Sequence, residues 1–398
     1  MRYIKPDFYD QFICTADQCP DTCCAGWQIM IDEDSLEKYS QVKGAFGKRL
    51  RNSIDWTEGA FFQCQKRCAF LNESNLCDLY TNLGSDALCD TCRNYPRHVE
   101  EYADLRERSL SLSCPVAAQI ILSRQGFPEF VMEEDDRPDE LEEEFEDFDY
   151  LLFTQLEDAR NAVFDVLKGY AKAWEGKEKS QGLPVHTLQE LMKHALEMAA
   201  RMQECVEDGR YFEIDEVIQR CREEVMRMDV ASGSEISVAS VSEEYRTKDF
   251  QSMKALFEGM YGLERLREEW TDVLQETFHI LYEEGEKQYT AVREAFAVYC
   301  VRYPDREALW ENTGLQLFVF FVYTYFCGAV YDDRIYSKMA LSVYSVIFIR
   351  ELLLARWWET QKLDVQDCIE LSYRYAREVE HSDQNLDFLE DFLENFMK

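Results

Sequence analysis

The sequence predicts a mainly α-helical protein in which a cysteine-rich, metal-cluster N-terminal domain with little strand precedes an all-helical C-terminal domain. Two observations lead to this fold class. Ten of the 15 cysteines lie between Cys14 and Cys114, which indicates a segment organised around thiol chemistry. From Leu151 onward, apolar residues recur at helical spacing, as in the run that ends at Trp174. The predicted division is residues 1–130 for the cysteine-rich domain, 131–150 for a linker and 151–398 for the helical domain.

The N-terminal cysteines occur in groups with short spacings. A Cys-x4-Cys-x3-Cys-Cys group begins at Cys14, a Cys-x3-Cys-x8-Cys group begins at Cys64, and a Cys-x2-Cys pair begins at Cys89. A Cys-x2-Cys pair allows two thiolates from one tight turn to reach a single metal centre. The candidate metal ligands are Cys14, Cys19, Cys23, Cys24, Cys64, Cys68, Cys77, Cys89, Cys92 and Cys114.

Zinc and iron–sulfur chemistry both remain open for these thiols. Structural zinc favours paired knuckles that histidine often completes, but only His98 lies nearby and the spacings do not repeat. Iron–sulfur clusters are held by cysteine thiolates at irregular spacings, often with a proline after a ligand, as at Pro20 and Pro115. The spacing therefore favours iron–sulfur over zinc, and it leaves open whether there is one site or two.

The net charge of the chain limits the choice of partners. Its 43 Lys and Arg stand against 78 Asp and Glu, which gives a formal charge of −35. Such a surface repels nucleic acid and anionic lipid, and it either attracts cationic, lysine-bearing partners or serves solubility alone. The first twelve residues carry charges where a signal peptide has an apolar core, so we expect a cytoplasmic protein with reduced thiols.

Local patterns predict several elements in chain order. Strand candidates are scarce: residues 26–32, "GWQIMID", and a second stretch within 105–113. Residues 115–130 indicate a short helix. The stretch 133–149 holds twelve acids against one arginine, which is typical of a solvated linker.

Helical patterns dominate the rest of the chain. Thr187 and Glu190 form a predicted capping box that opens a helix toward residue 207. A loop is expected at about 228–246, and helix breaks are expected near Pro304 and Gly314. The apolar run 315–331 is too short for a bilayer span and ends in charges, so it predicts a buried helix and no membrane insertion. We expect it to form a core hairpin with residues 339–349.

Residues outside the cysteine groups offer no recognisable catalytic constellation. The cysteines beyond residue 114 lie in helical, apolar contexts and are expected to be buried; they are Cys205, Cys221, Cys300, Cys327 and Cys368. The five histidines have no mutual spacing that suggests a metal site, and we interpret each as a surface or capping residue. No glycine-rich nucleotide loop is present, so the sequence assigns no catalytic or donor-binding residue.

Three stretches of the sequence carry a resemblance to a known family. "FICTADQCPDTCCAGWQIMID", "CAFLNESNLCDLYTNLGSDALCDTCRNYPR" and "SLSLSCPVAA" resemble the flagellin lysine N-methylases, which belong to a group named for a CxxCxxCC-type cysteine cluster. The resemblance implies a protein-lysine N-methyltransferase that moves methyl groups from S-adenosylmethionine to lysine ε-amines of flagellin. It also implies a [4Fe-4S] cluster held among the same ten cysteines, without saying which of them are ligands.

Two features depart from familiar donor-binding patterns. The Cys-x3-Cys-x2-Cys triad of radical S-adenosylmethionine enzymes is absent, because Cys19-x3-Cys23 is followed at once by Cys24. The strand, glycine-rich loop and helix that most S-adenosylmethionine enzymes use are missing as well. A second hypothesis is therefore kept: a non-catalytic protein that binds an iron–sulfur cluster or zinc and recognises a basic partner.

Overall fold

The computed structural model describes residues 1–134, 148–176, 187–231 and 250–396. Within these ranges the protein is mainly helical, as predicted. Residues 135–147 of the predicted linker and residues 232–246 of the predicted loop lie outside the described residues.

In the described part of the chain, all strands precede residue 135. They are β1 (Arg2–Pro6), β2 (Ile54–Asp55), β3 (Ala60–Phe61), β4 (Gln63–Cys64), β5 (Arg67–Cys68), β6 (Arg97–Tyr102), β7 (Leu105–Leu110) and β8 (Phe130–Glu134). Four of them form a sheet in the order β6-β7-β1-β8, in which β1 runs parallel to β7 and antiparallel to β8. The other four form two short antiparallel hairpins, β2 with β3 and β4 with β5.

The strand predictions were right in one place and wrong in another. The stretch 105–113 does contain β7. Residues 26–32 do not form a ladder strand; they alternate in burial, with Ile29 and Ile31 inside and Met30 exposed, but pair only through an isolated bridge between Met30 and Ala60. The alternating burial of residues 29–31 arises because this extended stretch packs one side against a hydrophobic core. The predicted helix 115–130 ends early, because α5 spans only Pro115–Ser123, and β8 takes residue 130 and the start of the predicted linker.

Helices account for most of the remaining described residues. They are α1 (Glu33–Gln41), α2 (Gly44–Asn52), α3 (Asp78–Leu83), α4 (Asp90–Asn94), α5 (Pro115–Ser123), α6 (Tyr150–Gly176), α7 (Leu188–Glu207), α8 (Ile214–Ala231), α9 (Phe250–Gly259), α10 (Glu268–Phe278), α11 (Glu286–Arg302), α12 (Pro304–Tyr325), α13 (Ile335–Thr360), α14 (Val365–Glu380) and α15 (Asp383–Phe396). The predicted capping box is confirmed, because Thr187 and Glu190 exchange hydrogen bonds at the start of α7. The five cysteines beyond residue 114 are all buried, as expected.

The predicted core hairpin is confirmed, since α12 and α13 pack against each other along the chain's most apolar segments. The break expected at Gly314 is wrong: α12 continues through it. A Cβ at Gly314 would lie 2.3 Å from Arg350 Nη2 and 2.8 Å from Leu188 Cδ2, so glycine serves close packing there. The segment Pro304–Tyr331 is long and apolar enough to cross a membrane, and 89% of its most apolar window is buried inside the protein.

Two hydrophobic cores organise the residues that the structure describes. The large core extends from Phe8 to Leu393 and unites the four-stranded sheet, α5 and the C-terminal helices. The small core lies within residues 29–89, among the short helices and hairpins, and includes the buried Cys68 and Cys89. The three-part division of the chain stays a prediction. The four-stranded sheet shares the large core with the helices, whereas residues 29–89 of the cysteine-rich segment pack around the small core.

Candidate functional site

The ten N-terminal cysteines separate into two groups and one outlying residue. The first group lies on the small core, and we call these residues the inner thiols: Cys24, Cys68, Cys77, Cys89 and Cys92. The main chain gathers them, because the Cys68 N–H donates to the Cys24 carbonyl at 2.9 Å. Cys89 caps the N-terminus of α4 and Cys92 follows within its first turn. Three separate chain segments therefore bring their thiols to one core.

The second group, the outer thiols, includes the N-cap residue of α5; its members are Cys14, Cys19, Cys23 and Cys114. Cys14 and Cys114 both act electrostatically on the thiol of Cys23, and Cys19 acts on Cys114. The adjacent Cys23 and Cys24 join the two groups. Cys64 is exposed on β4, and we assign it to neither group.

Two close thiol pairs each favour one thiolate. A hydrogen bond from Cys23 lowers the pKa of Cys24 to about 7, and the nearby Arg67 guanidinium acts in the same direction. A hydrogen bond from Cys92 lowers the pKa of Cys89, and the same bond raises the pKa of Cys92. Thiolates are the soft ligands that iron–sulfur clusters and zinc require.

The inner thiols are chemically suited to ligate an iron–sulfur cluster. The inner thiols are soft and either buried or partly buried, and they come from separate segments, as cluster ligands commonly do. Across residues 1–134, 148–176, 187–231 and 250–396, no group of three or more His, Cys, Asp or Glu side chains is arranged to hold a metal ion. The assignment of the ten cysteines as ligands therefore stays a prediction.

The C-terminal end of α14 meets the cysteine-rich segment through a buried ion pair. Arg377, which is only 3% exposed, lies 2.6 Å from the Asp21 carboxylate. The same guanidinium donates to the carbonyl oxygens of Ser113 and Asp21, each at 2.8 Å. One arginine of the helical region thus holds the first and third motif stretches together.

A second arginine reinforces this junction. Arg267 Nη2 donates to the carbonyls of Ala25 at 2.8 Å and Thr22 at 3.3 Å. Gly26 has φ +95°, and a Cβ there would lie 2.4 Å from Arg267 Nε, so glycine permits both the turn and the close approach. The Glu378 carboxylate fixes the arginine from the other side by accepting the N–H of Arg267 at 2.9 Å.

Three aromatic rings cover the junction. The Trp27 ring stacks on His381 with centroids 4.6 Å apart, and Tyr95 packs against both rings at 5.9 and 5.7 Å. Burial, together with the positive charges of Arg377 and Arg267, lowers the pKa of His381 to about 3, so its imidazole is neutral. The first and second motif stretches supply two of the rings, and the residue after α14 supplies the third.

A buried carboxylate completes the site. The Ser111 hydroxyl donates to Glu380 Oε2, and the Ser113 N–H approaches the same oxygen at 3.4 Å. The hydroxyls of Tyr95 and Ser113 are 3.1 Å apart, which links this carboxylate to the ring cluster. We call the group formed by Trp27, Tyr95, Glu380 and His381 the junction site.

Sequence reasoning missed most of this arrangement. It did not single out Arg267, Arg377 or Glu380, and it interpreted His381 as a surface or capping residue. His381 does occupy the C-cap of α14, but its Nε2 atom is buried. The available signal was faint: charged residues, among them Arg377 and Glu380, fall in the last turn of an amphipathic helix, and only the folded chain shows which segment they face.

Comparisons with known proteins agree with the motif stretches. The family model of the FliB lysine N-methylase C-terminal domain matches residues 186–398. The flagellar biosynthetic protein FliU of Salmonella muenchen is 32% identical over 128 residues, covering 30% of this chain and 76% of FliU. These matches place the chain in the class of protein-lysine methyltransferases. It belongs to the FliB lysine N-methylase family, and the resemblance inferred from the motifs is confirmed.

Two further relatives carry the name lysine-N-methylase. They come from Salmonella typhimurium and Salmonella choleraesuis, and each is 31% identical over 128 residues. The aligned stretch covers 30% of this chain but only 32% of each of these relatives. No solved structure matches the chain.

Proposed function

We propose that this protein transfers methyl groups from S-adenosylmethionine to lysine side chains of flagellin. The observation that carries the proposal is the family match over residues 186–398, more than half of the chain. The names of the relatives connect the family with lysine methylation and with the flagellum. Flagellin as the substrate and S-adenosylmethionine as the donor come from the resemblance of the motif stretches.

The chemistry of the reaction requires a neutral amine. A lysine ammonium has an ordinary pKa of about 10.4 and no lone pair for attack on a methyl group, so the protein has to favour its deprotonation. Removal of the amine from water lowers its pKa, and a ring-lined, water-poor site provides such an environment. The junction site, where all three motif stretches meet α14, supports the proposal as the place for this step.

Charge supports capture of a lysine-bearing substrate. The chain has a formal charge of −35, and a surface of one sign raises the local concentration of oppositely charged groups. This attraction acts over about 10 Å at 0.1 M salt and is screened beyond that distance. Lysine-rich patches on flagellin would therefore be drawn to the protein before docking.

We also propose that the inner thiols hold a [4Fe-4S] cluster. Cys24, Cys68, Cys89 and Cys92, with Cys77 as a fifth candidate, would supply the thiolates. When bound, such a cluster would cross-link the three chain segments that carry the inner thiols, because metal-binding free energy contributes to folding in small cysteine-rich units. Methyl transfer to an amine needs no electron transfer, so the proposed role of the cluster is structural.

The test is methylation by protein purified without air. The full chain is incubated with S-adenosylmethionine and flagellin, and the intact mass of flagellin is measured over time; flagellin with acetylated lysines is the control. The proposal predicts mass gains in units of one methyl group on unmodified flagellin alone. No gain, with iron retained and flagellin bound, would favour the non-catalytic binder of basic partners.

A further inference from the structure

Glu380 has one carboxylate oxygen that is poorly satisfied. Its Oε2 atom accepts from Ser111 and faces the N–H of Ser113. Its Oε1 atom is buried, and within the described residues no donor reaches it in good hydrogen-bond geometry; the buried Tyr325 hydroxyl interacts with the carboxylate but does not fully satisfy it. A buried acceptor with only a weakly placed donor is unfavourable. A donor from another molecule would remove that cost.

The surroundings of Glu380 suit a cationic donor. Its neighbour His381 carries a neutral ring that stacks on Trp27, and Tyr95 closes the cluster. Alkylammonium groups bind to aromatic faces, and they bind more strongly when a carboxylate is present and water is excluded. The rings touch one another in this structure, so access to Oε1 requires the Trp27 ring to move away from His381. One side-chain hydrogen bond, from Trp27 Nε1 to the Cys23 carbonyl at 2.7 Å, holds that ring.

We propose that Glu380, beside the rings of Trp27, Tyr95 and His381, binds the ε-amine of the substrate lysine and accepts its proton before methyl transfer. This inference rests on the proposed function and adds to it the residue that prepares the amine.

The proposed step balances in protons and electrons. The lysine ammonium gives one proton to Glu380 and becomes a neutral amine. The nitrogen lone pair then forms a bond to the donor's methyl carbon while the carbon–sulfur bond breaks and its electron pair remains on sulfur. The positive charge moves from the sulfonium to the methylated amine.

The groups that face Glu380 are compatible with its role as a proton acceptor. Burial raises the pKa of Glu380, which brings it closer to the pKa of a desolvated amine, while Ser111, Ser113 and His98 act in the opposite direction. His98 lies on β6, where it pairs with Glu100 at 2.5 Å. The hydroxyls of Tyr325 on α12 and Tyr375 on α14 also face the carboxylate.

The first test compares two substitutions on α14. Glu380→Gln keeps the side-chain shape and removes the charge, and Glu370→Gln removes a charge from the same helix at a partly exposed ion pair with Arg374. We expect Glu380→Gln to slow methyl transfer about 100-fold at saturating donor, with iron content and melting temperature preserved. Glu370→Gln should stay within about twofold of the parent protein on the same scale. A Glu380→Gln rate within that range would overturn the inference.

Ser111→Ala provides a second variant if Glu380→Gln does not fold. It removes the hydroxyl that orients Oε2 and leaves the charge in place. We expect methyl transfer to slow about tenfold, because a misplaced base still accepts protons but less often in a productive geometry. An unchanged rate would contradict a role for the oriented carboxylate.

The second test measures binding without methyl transfer. N-acetyl-lysine methylamide is compared with its norleucine analogue, which lacks the amine, at about 0.5 M salt to screen the acidic surface. The parent protein and Glu370→Gln should prefer the lysine compound about tenfold, and Glu380→Gln should lose that preference, in line with the loss of a charge-assisted hydrogen bond.

The outcomes separate the site from the proposed function. If flagellin is never methylated and the lysine preference still depends on Glu380, the proposed function fails and the amine site stands. If Glu380→Gln keeps the lysine preference but loses binding of S-adenosylmethionine, the carboxylate serves the donor's sulfonium and the inference is wrong.

Discussion

The carboxylate of Asp21 lies 2.6 Å from the guanidinium of Arg377, across a sequence separation of 356 residues. The ion pair joins the cysteine-rich segment to the last turn of α14, and Arg377 is almost fully buried. The junction site therefore depends on a contact that neither the cysteine-rich segment nor the helical region can form alone.

Asp21→Asn is expected to destabilise the protein. Loss of one partner leaves the buried Arg377 charge uncompensated, which costs about 3 kcal/mol in the free energy of unfolding. The exposed Asp17, four residues earlier, provides the control, and Asp17→Asn should change stability by less than about 0.5 kcal/mol. Denaturant unfolding followed by helical circular dichroism measures both. Equal stabilities would show that the pair contributes little to the junction.

Two glycines with similar φ angles allow a test of how Arg267 packs against the main chain. Gly26 has φ +95° and would place a Cβ 2.4 Å from Arg267 Nε, whereas Gly84 has φ +88° and nothing within 4 Å of its Cβ position. Alanine strains the backbone at both sites, but only Gly26→Ala also displaces an arginine fixed by hydrogen bonds. We expect Gly26→Ala to cost about 1–3 kcal/mol more than Gly84→Ala in unfolding measurements. Equal losses of stability in Gly26→Ala and Gly84→Ala would contradict the close approach of Arg267 to Gly26.

The neutral imidazole of His381 predicts a pH dependence of stability. Its pKa is about 3 when folded, against about 6.5 when unfolded, so only the unfolded chain binds a proton between these values. Stability from this group is complete above pH 6.5 and is lost as the pH falls toward 3, by up to about 1.4 kcal/mol per pH unit.

The measurement compares the parent protein with His381→Gln between pH 7 and pH 5. Carboxylates titrate in the same range, so the difference between the two proteins isolates the imidazole. We expect the stability advantage of the parent to shrink as the pH falls. A constant difference would mean that His381 is charged or solvated in the folded protein.

The two groups of thiols lead to a prediction about iron. In protein purified without air, we expect about four irons per chain, the content of a cubane cluster. Serine at Cys24, Cys68, Cys89 or Cys92 should lower both iron and acid-labile sulfide. Serine at the exposed Cys64 should leave both unchanged. Equal loss at all five positions, or stoichiometric zinc in place of iron, would contradict the assignment of the inner thiols.

Features that depend on residues close together in the sequence could be predicted, whereas contacts between distant segments could not. The capping box at Thr187 and the α12–α13 hairpin follow from side-chain pattern alone, and the crowding of cysteines marks the N-terminal segment at once. The contacts of Asp21 with Arg377 and of Ser111 with Glu380 carry no periodic signal, since each depends on segments more than 260 residues apart. The sheet was missed for a similar reason: β1 pairs with β7 across about a hundred residues.

Transfer of an isotopically labelled methyl group from S-adenosylmethionine to flagellin would establish the proposed reaction. The parent protein is incubated anaerobically with flagellin and S-adenosylmethionine that carries a deuterated methyl group, and peptide mass spectrometry locates the label. We expect deuterated methyl groups on lysine side chains of flagellin, formed only when both this protein and the donor are present. Unlabelled flagellin lysines, with the protein folded and its iron retained, would contradict the proposed reaction.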